Sequence, residues 1–505
     1  MKNKEQYIIF VLAILNIFIH LLFYDSLEYH RDELLYFSLG RHLDLGYASV
    51  PPLIGWIAAL VENTIGFSVF AVKLVPALLS GVMVVLFARI AKELGGNFYA
   101  QVLAVVAFMC TPFSLRAFFL YQPVCFDVFF WTLVFYLVIR YINTESDTTL
   151  YWLGAAMGIA LLNKYLIFLQ LASIFVLLSF TPQRKLFRKK AFYISLLIAF
   201  VIFLPNLYWQ ISNDLPVLRH MSELNERQLV NVDRLSFVTN QLFMWNLSFF
   251  IALLGLLYLL LNPAGKKYGI VASTSILVFA TLMYLQGKAY YAAGIFPVLL
   301  AAGAVFIGNN MKMKELRIAL FALLVIGIIP LVPFGLPVYS PDKLVEHFDM
   351  VEEEYGIDAG RTFEDGKKHE LPQDYADMLG WEELALVTKK AFDQVENKEA
   401  CAIYCENYGQ AGAVTLIGKK YGLPEALSFS DAYEYWLPRS FEPDLEAFIY
   451  INDELGEDVA AICDEVIEVG GITNPLAREY GTKVYLCRKF KGSFNGFWGQ
   501  VMEGR

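Results

Sequence analysis

Long apolar runs recur through the first two thirds of the chain, and they constrain its fold more than any other feature. Hydrophobic residues make up 57% of the 505 residues and charged residues only 18%, whereas soluble domains have about a quarter charged residues. Each run approaches the roughly 20 residues that an α-helix needs to cross a hydrocarbon core. We therefore predict a polytopic all-α membrane domain over residues 1–339 and an extracytoplasmic α/β domain over 340–505. The runs predict about eleven transmembrane helices: 7–23, 67–88, 98–115, 124–139, 150–163, 165–180, 191–209, 237–261, 270–285, 289–308 and 318–338.

The distribution of Lys and Arg between the runs predicts the orientation of the helices. Cytoplasmic loops carry an excess of these residues. With the N-terminus in the cytoplasm, every dense basic cluster before residue 341 lies on the inside, including the block TPQRKLFRKK that begins at Thr181. This orientation puts the loop at 25–66 and the C-terminal domain outside. The predicted location is therefore a multi-pass protein of the cytoplasmic (inner) membrane.

Net charge differs between the two parts of the chain. From residue 341 onward there are 33 acidic and 16 basic residues, a net charge of −17, and the rest of the chain carries +8. No basic stripe indicates nucleic-acid binding, and no G-x-G-x-x-G or G-K-[ST] pattern indicates a nucleotide site. The six cysteines lack metal-type C-x-x-C spacing, and we expect buried free thiols.

The C-terminal segment shows alternating helix and strand patterns, which favour a partly parallel sheet. We predict helices at 381–395 and 409–421. We predict strands at 400–404, 447–451 and 483–487.

The polar stretch 29–52 lies between the first two apolar runs and contains the adjacent acids Asp32 and Glu33. A carboxylate beside a medium of low dielectric constant is suited to general-base catalysis. Adjacent helical residues point in different directions, so we expect only one base, Asp32. The alternative is a solvated pair bridged to Arg31 or Arg41.

Charged residues at the ends of apolar runs are further candidates. Asp127, in YQPVCFDVFFW, is an ionisable residue at membrane depth, although an acid near a helix N-terminus can also serve only the helix dipole. Arg116, Lys164 and Lys288 are isolated cations that could bind a lipid phosphate or extend to the membrane interface.

No spacing of His, Cys, Asp and Glu indicates a metal site. His30 and His42 lie near the acid pair, and we interpret them as solvated histidines. Two acids could still hold a divalent ion, so a divalent metal is the only cofactor we consider. Tyr290 and Tyr291 fit the aromatic belt that marks membrane interfaces.

Several motifs, in order, resemble a known family. They are RDELLYFSLGRHLDLGYASVPPLIGWIAAL, FAVKLVPALLSGVMVVLFARIAKELGG, YQPVCFDVFFWTL, LLNKYL, FLPNLYWQ and GKAYYAAGIFP, and in the C-terminal segment DYADMLGWEEL, ENYGQAGAVTLIGKKYGLP, NPLAREY and VYLCR. This series resembles the bacterial membrane glycosyltransferases of the protein-mannosyltransferase (family 39) type. These are similar in turn to the aminoarabinose transferases that modify lipid A.

The resemblance implies a GT-C type fold, an outward-facing active site and a sugar donor on polyprenyl phosphate. The family's acidic position in the first outer loop corresponds to Asp32, with Glu33 beside it, and its second acidic position to Asp127. The aminoarabinose transferases carry a basic residue just before the Pro-Pro step, where this chain has Val50. We therefore assign donor phosphate binding to the three isolated cations: Lys164, Arg116 and Lys288.

The expected function is an inverting hexosyl or pentosyl transfer with Asp32 as the base. The acceptor could be lipid A, another glycolipid, a wall polymer or a protein. The alternative is a lipid-linked sugar transporter or flippase without transferase activity, although we find no internal repeat of the kind that many transporters have. In a third reading, the C-terminal domain selects the acceptor and the membrane domain only anchors it.

Overall fold

The computed structural model describes residues 2–227, 233–364 and 366–504. Packing divides the chain into two compact units. The first, here the membrane unit, consists of Met1–Tyr24, Asp44–Ile54 and Val72–Val338. The second, here the sheet unit, consists of Asp25–Leu43, Gly55–Ala71 and Tyr339–Arg505. The predicted domain boundary after residue 339 stays a prediction, because packing groups two short segments before residue 72 with the C-terminal part.

The described secondary structure of the membrane unit consists of helices joined by loops. Its α-helices are Lys2–Leu21, Val69–Glu93, Phe98–Met109, Pro112–Ala117, Pro123–Thr144, Asp147–Leu161, Ile167–Leu178, Lys190–Ser212, Pro216–Arg227, Arg234–Trp245, Ser248–Leu261, Gly269–Tyr284, Phe296–Asn310 and Lys314–Ile328. Helix Leu53–Thr64 passes from this unit into the sheet unit. Short 3₁₀ segments are Pro182–Arg188, Lys266–Tyr268, Ala289–Ile295 and Ile329–Phe334.

The protein is a multi-pass membrane protein, but the predicted number of spans is not confirmed. Within the described residues, seven helices are long and apolar enough to cross a membrane, or up to nine if each of two bent pairs forms one span. Two predicted spans are short: Phe98–Met109 has 12 residues and Asp147–Leu161 has 15. At 1.5 Å per residue these reach about 18 and 22 Å, less than the roughly 30 Å of a hydrocarbon core.

Glycines allow the membrane helices to pack backbone against backbone. A Cβ on Gly255 would lie 1.9 Å from the carbonyl oxygen of Leu299, and a Cβ on Gly303 would lie 1.8 Å from that of Ile251. Small residues permit this approach, which drives helix association where lipid removes the hydrophobic contribution. Helices Ser248–Leu261 and Phe296–Asn310 therefore cross at these two glycines.

The sheet unit contains four strands: β1, Cys401–Cys405; β2, Ala447–Asn452; β3, Cys463–Gly471; and β4, Lys483–Phe490. Their order is β1-β2-β4-β3. β1 and β2 are parallel, and β4 is antiparallel to both of its neighbours. The predicted partly parallel sheet is therefore confirmed.

The sheet unit also contains helices, one of which comes from the first polar loop. The α-helices are Arg31–Arg41, Pro341–Tyr355, Gln373–Ala376, Trp381–Asp393, Tyr408–Gly412, Glu457–Ile462 and Phe494–Glu503. The 3₁₀ segments are Lys398–Ala400, Gly418–Tyr421 and Asp431–Trp436, and residues Ala413–Ile417 form a π-helix. The predicted helix over 409–421 is confirmed as a continuous helical stretch, in which the α segment Tyr408–Gly412, the π-helix and the 3₁₀ segment Gly418–Tyr421 follow one another without a gap.

β3 was not predicted because its sequence, CDEVIEVGG, is rich in acidic residues, which are unfavourable in strands. The neighbouring strand compensates for them. Arg488 on β4 donates to Glu465 at 2.9 Å, and Lys483 donates to Glu468 at 3.1 Å. Such cross-strand pairs favour the observed register. All six cysteines are buried and free, as the sequence predicted.

The substitution Gly303→Ala tests the helix crossing. A methyl group at this position has no space beside Ile251, so we expect overpacking to cost about 1–3 kcal/mol or more. The control is Gly499→Ala, whose added methyl group meets no atom within 4 Å. Thermal unfolding of the detergent-purified proteins should show a lowered midpoint for Gly303→Ala alone. Equal midpoints would contradict the close crossing.

Candidate functional site

The helix Arg31–Arg41, here the RDE helix, begins at the acid pair and is capped by its own side chains. The Asp32 backbone N–H donates to His30 Nδ1 at 3.1 Å, and the His30 backbone N–H donates to Glu33 Oε2 at 2.9 Å. Such reciprocal capping satisfies donors that have no partner within the helix. Glu33 is completely buried, while Asp32 is partly exposed. Glu33 therefore has a structural role in the cap, and Asp32 is the accessible carboxyl group of the pair.

Other segments of the sheet unit fix both ends of the RDE helix. At the start, the Arg31 backbone N–H donates to the carbonyl oxygen of Asp377 at 3.0 Å. At the end, Arg41 forms an ion pair with Glu62 at 2.9 Å and donates to the carbonyl oxygen of Thr415 at 3.0 Å. The RDE helix is therefore an integral part of the sheet unit rather than a free loop.

Glu28, just before the RDE helix, caps a second helix of the sheet unit. Its carboxylate accepts from the backbone N–H groups of Gly380 at 3.1 Å and Glu382 at 2.8 Å, at the start of Trp381–Asp393. Burial raises the pKa of Glu28, and the backbone hydrogen bonds oppose that effect. The motif DYADMLGWEEL is thus held against the segment that carries the acid pair.

Asp32 belongs to a group of three charged residues and a tyrosine, here the acid cluster: Arg31, Asp32, Asp377 and Tyr408. The Tyr408 hydroxyl donates to Asp32 Oδ1 at 2.9 Å, and the Arg31 guanidinium lies 4.4 Å from the centre of the Tyr408 ring. His30 Nε2 lies 3.7 Å from an Asp377 oxygen. The cluster joins Arg31 and Asp32 of the motif RDE to the motifs DYADMLG and ENYGQAG, which lie more than 340 residues later.

Burial governs the protonation of the cluster. Burial raises the pKa of Asp377, an effect opposed by His30 and Arg478. Burial, and then the neighbouring Asp32, raises the pKa of the Tyr408 phenol well above its usual value. Burial lowers the pKa of Arg31, but Tyr408 and Glu479 outweigh it and keep that pKa above its ordinary value. Tyr408 is therefore a protonated donor and Arg31 a permanent cation.

The membrane unit holds the other predicted residues. Four of them form a second group together with Trp131, here the lysine cluster: Asp127, Trp131, Lys164, Tyr290 and Tyr291. Trp131 Nε1 donates to Asp127 Oδ1 at 3.0 Å. The Lys164 ammonium lies 4.8 Å from the centre of the Tyr291 ring and 5.2 Å from that of Tyr290. It also acts electrostatically on the Asp127 carboxylate. Three motifs distant in sequence thus meet around one cation.

Close packing fixes the lysine cluster. A Cβ on Gly294 would lie 2.5 Å from Trp131 Cγ, so only glycine allows the segment Ala289–Ile295 to lie against this indole. Gln241 Nε2 donates to the carbonyl oxygen of Ala289 at 2.8 Å and holds the same segment from another helix. The two tyrosines predicted for an aromatic belt therefore also flank Lys164.

The Pro-Pro step lies in the part of the first loop that packs within the membrane unit, residues 44–54. Asn206 donates to the carbonyl oxygen of Leu45 at 2.7 Å, and its Oδ1 accepts from the Tyr165 hydroxyl at 2.7 Å. The Leu53 backbone N–H donates to the carbonyl oxygen of Leu162 at 2.9 Å. The motifs LLNKYL and FLPNLYWQ therefore hold the loop beside the residues that precede and follow Lys164.

The other two predicted cations have different positions in the membrane unit. Lys288 directly precedes the segment Ala289–Ile295 that carries the two tyrosines. Arg116 is half-buried in the short helix Pro112–Ala117, whose backbone lies against Gly335. Lys164 lies over an aromatic pair and interacts electrostatically with a predicted catalytic acid.

The described part of the chain contains no set of side chains arranged as metal ligands. Within residues 2–227, 233–364 and 366–504, no group of three or more His, Cys, Asp and Glu side chains is arranged to hold an ion. His42 instead stacks on Trp436, with 3.9 Å between ring centres, and pairs with Glu425 at 2.5 Å.

Tyr408 and Asp377 in the acid cluster and Trp131 in the lysine cluster were not predicted from the sequence. The motifs ENYGQAG and DYADMLG contain the first two, but sequence separation gave no reason to connect them with the acid pair. Trp131 follows Asp127 by four residues. This is one helical turn, and the spacing could have identified it as a donor.

Comparisons with known proteins agree with this architecture. A family model described as dolichyl-phosphate-mannose-protein mannosyltransferase matches residues 49–209. Lipid A galacturonosyltransferase RgtD from Rhizobium johnstonii is 22% identical over 274 residues, 53% of this chain and 58% of that protein. The chain thus matches little more than half the length of this curated relative.

Solved structures match over a larger part of the chain. ArnT from Cupriavidus metallidurans bound to undecaprenyl phosphate superposes with a TM-score of 0.62 at 13% identity, covering 95% of this chain and 98% of ArnT. The chain has the GT-C fold. An Archaeoglobus fulgidus oligosaccharyltransferase tethered to an acceptor peptide also matches, with a TM-score of 0.50 at 12% identity over 85% of this chain and 64% of that chain. The resemblance to GT-C type glycosyltransferases, drawn from the motifs, is confirmed.

The capping role of Glu33 in this GT-C chain can be tested by Glu33→Ala. Losing the acceptor for the His30 N–H should cost about 0.5–2 kcal/mol, the usual range for a helix cap. Glu33→Gln is the control, because its amide oxygen can still accept that hydrogen bond. Thermal unfolding should give a lower midpoint for Glu33→Ala than for Glu33→Gln. Two equal midpoints would contradict the cap.

Proposed function

We propose that the protein is a membrane glycosyltransferase that moves a sugar from a polyprenyl-phosphate donor to an acceptor on the outer face of the cytoplasmic membrane. The observation that carries the proposal is the position of Lys164, a cation flanked by two tyrosine rings and a buried acid inside the membrane unit. An ionisable residue inside a membrane bundle marks a functional position. Its charge suits the phosphate of a lipid carrier.

The likeness to known proteins supports the same donor class. ArnT, with which the chain shares the GT-C fold, was solved with undecaprenyl phosphate bound. The relative RgtD is a lipid A galacturonosyltransferase, and the matching family model describes transfer from a dolichyl phosphate. We infer a polyprenyl-phosphate hexose or pentose as the donor. The acceptor is a hydroxyl-bearing glycolipid, lipid A, wall polymer or protein.

In the proposed reaction, the acceptor oxygen attacks the anomeric carbon from the side opposite the phosphate. The bond between that carbon and the phosphate oxygen breaks, and its electron pair stays on the phosphate. Asp32 takes the proton of the acceptor hydroxyl, as a general base. Lys164 neutralises the negative charge that develops on the departing phosphate, with Lys288 and Arg116 as further cations for the donor. Inversion of the sugar follows from the direction of attack.

Asp127 has a supporting part in this proposal. It is 7% exposed and accepts a hydrogen bond from Trp131 while it faces the charge of Lys164. This arrangement fixes the ammonium group of Lys164 beside the two tyrosine rings. Glu33, whose carboxylate caps the RDE helix, orients the helix that carries the base.

The substitution Asp32→Asn tests the proposed base. The reconstituted protein is given undecaprenyl phosphate carrying galacturonic acid, mannose or aminoarabinose, with lipid A as acceptor, and products are identified by mass spectrometry. Loss of a general base should lower kcat by about 10²- to 10⁴-fold, whereas the Asn side chain still accepts from Tyr408. Near-normal turnover by Asp32→Asn would refute the assignment. Movement of the donor across vesicles without any glycosylated product would favour a transporter.

The substitution Lys164→Met tests donor binding. A hydrogen bond to a charged group contributes about 1.5–3 kcal/mol, so affinity for undecaprenyl phosphate should fall ~10- to 100-fold. Lys267→Met is the matched control, because Lys267 also lies over a tyrosine ring, 4.7 Å from the centre of Tyr268. Binding of undecaprenyl phosphate to the two purified variants is compared by isothermal titration. Equal affinities would show that Lys164 does not bind the phosphate.

A further inference from the structure

The motif ENYGQAG, residues 406–412, has no role in the proposed reaction so far, yet it is rigidly held. Asn407 Oδ1 accepts from the backbone N–H groups of Gly409 at 2.9 Å and Gln410 at 3.1 Å. Asn407 Nδ2 and Gln410 Nε2 both donate to Glu479 Oε2, at 3.0 and 2.7 Å. These bonds fix the start of the short helix Tyr408–Gly412 and therefore the direction of the Tyr408 side chain.

Two glycines of this motif bring it against the RDE helix. A Cβ on Gly409 would lie 2.7 Å from Arg31 Cγ, and a Cβ on Gly412 would lie 2.7 Å from Leu34 Cβ. Any larger residue at these positions would separate the two helices. Close packing of this kind is required to bring the Tyr408 hydroxyl within 2.9 Å of Asp32 Oδ1.

The Tyr408 ring is held from its face as well as from its hydroxyl. The Arg31 guanidinium lies over the ring at 4.4 Å from its centre, a favourable cation–π geometry. The phenol is thus restrained at its ring face by Arg31 and at its hydroxyl group by Asp32. A donor restrained in this way can orient the carboxylate to which it is bonded.

We propose that Tyr408 is a positioning residue for the transfer reaction, holding the carboxylate of Asp32 in the orientation that takes the proton from the acceptor hydroxyl. The proposal rests on the proposed function. By fixing Oδ1, the phenol fixes the rotation of the carboxylate and hence the direction of the Oδ2 lone pairs. In the reaction, the acceptor proton moves to Asp32 and the phenol keeps its own proton.

The chemistry of the hydrogen bond is consistent with this role. Hydrogen bonds from a neutral donor to a carboxylate are stronger than those between two neutral groups. A general base must also be held at hydrogen-bonding distance from the proton that it takes. The C-terminal segment would then contribute to the chemical step itself, beyond selecting or covering an acceptor.

The substitution Tyr408→Phe tests the proposal, with Tyr433→Phe as a matched control. Both remove one phenol hydroxyl bonded to the RDE helix, because the Tyr433 hydroxyl donates to Ser38 Oγ at 2.7 Å. Phe retains the ring beside Arg31. We expect Tyr408→Phe to lower kcat at least tenfold with the KM for the polyprenyl-phosphate donor within twofold, and Tyr433→Phe to leave kcat within twofold.

Thermal unfolding of both variants separates positioning from stability. A kcat for Tyr408→Phe within twofold of the unmodified protein would overturn the proposal. Equal losses of kcat in both variants would also overturn it, because the effect would then be one of stability. If Tyr408→Phe does not fold, Tyr408→His gives the same readout, since its shorter side chain places no donor at the reach of the phenol.

The Asp32→Asn protein, assayed beside these variants, separates a failure of the proposed base from a failure of the positioning role of Tyr408. If Asp32→Asn is active, the proposed base itself is wrong. If Asp32→Asn is inactive while Tyr408→Phe keeps its kcat, Asp32 stands as the base and only the positioning role of Tyr408 is overturned.

Discussion

The close packing of the RDE helix against residues 407–412 is the constraint on which the sheet unit depends. Gly409 and Gly412 leave no space for a side chain between the two helices, and Asp32 accepts a hydrogen bond across this contact. Packing at this density transmits small changes in position directly to the atoms in contact. An acid that is eleven residues from the end of the first long helix is therefore positioned by a motif more than 370 residues later.

In the membrane unit, the main constraint is the charge of Lys164, which lies among apolar helices. Lys164 lies over two adjacent tyrosine rings and interacts electrostatically with a buried carboxylate that accepts a hydrogen bond from an indole N–H. Burying a charge is costly unless it is paired and hydrogen-bonded. The aromatic faces and the acid reduce this cost.

Some residues of the two clusters could be predicted from the sequence, and the reason differs from residue to residue. Asp32, Asp127 and Lys164 were identifiable because charged residues next to apolar runs are unusual. The capping role of Glu33 follows from its position three residues after His30, the residue that immediately precedes the helix. Tyr408 was not identifiable, since a tyrosine in a polar segment has no distinguishing pattern. The number of transmembrane helices was not predictable from the sequence, because hydropathy does not show where a helix bends or ends.

The sequence by itself determined that the chain crosses a membrane several times, that an α/β segment follows, and that charged residues occupy a few defined positions. Hydropathy and residue spacing are local properties, and these conclusions depend on them alone. Only the tertiary structure decided that residues 25–43 fold with the C-terminal segment, that Tyr408 bonds to Asp32, and that Tyr290 and Tyr291 flank Lys164. Those contacts join residues more than a hundred positions apart, and close packing between helices, rather than any local pattern, selects them.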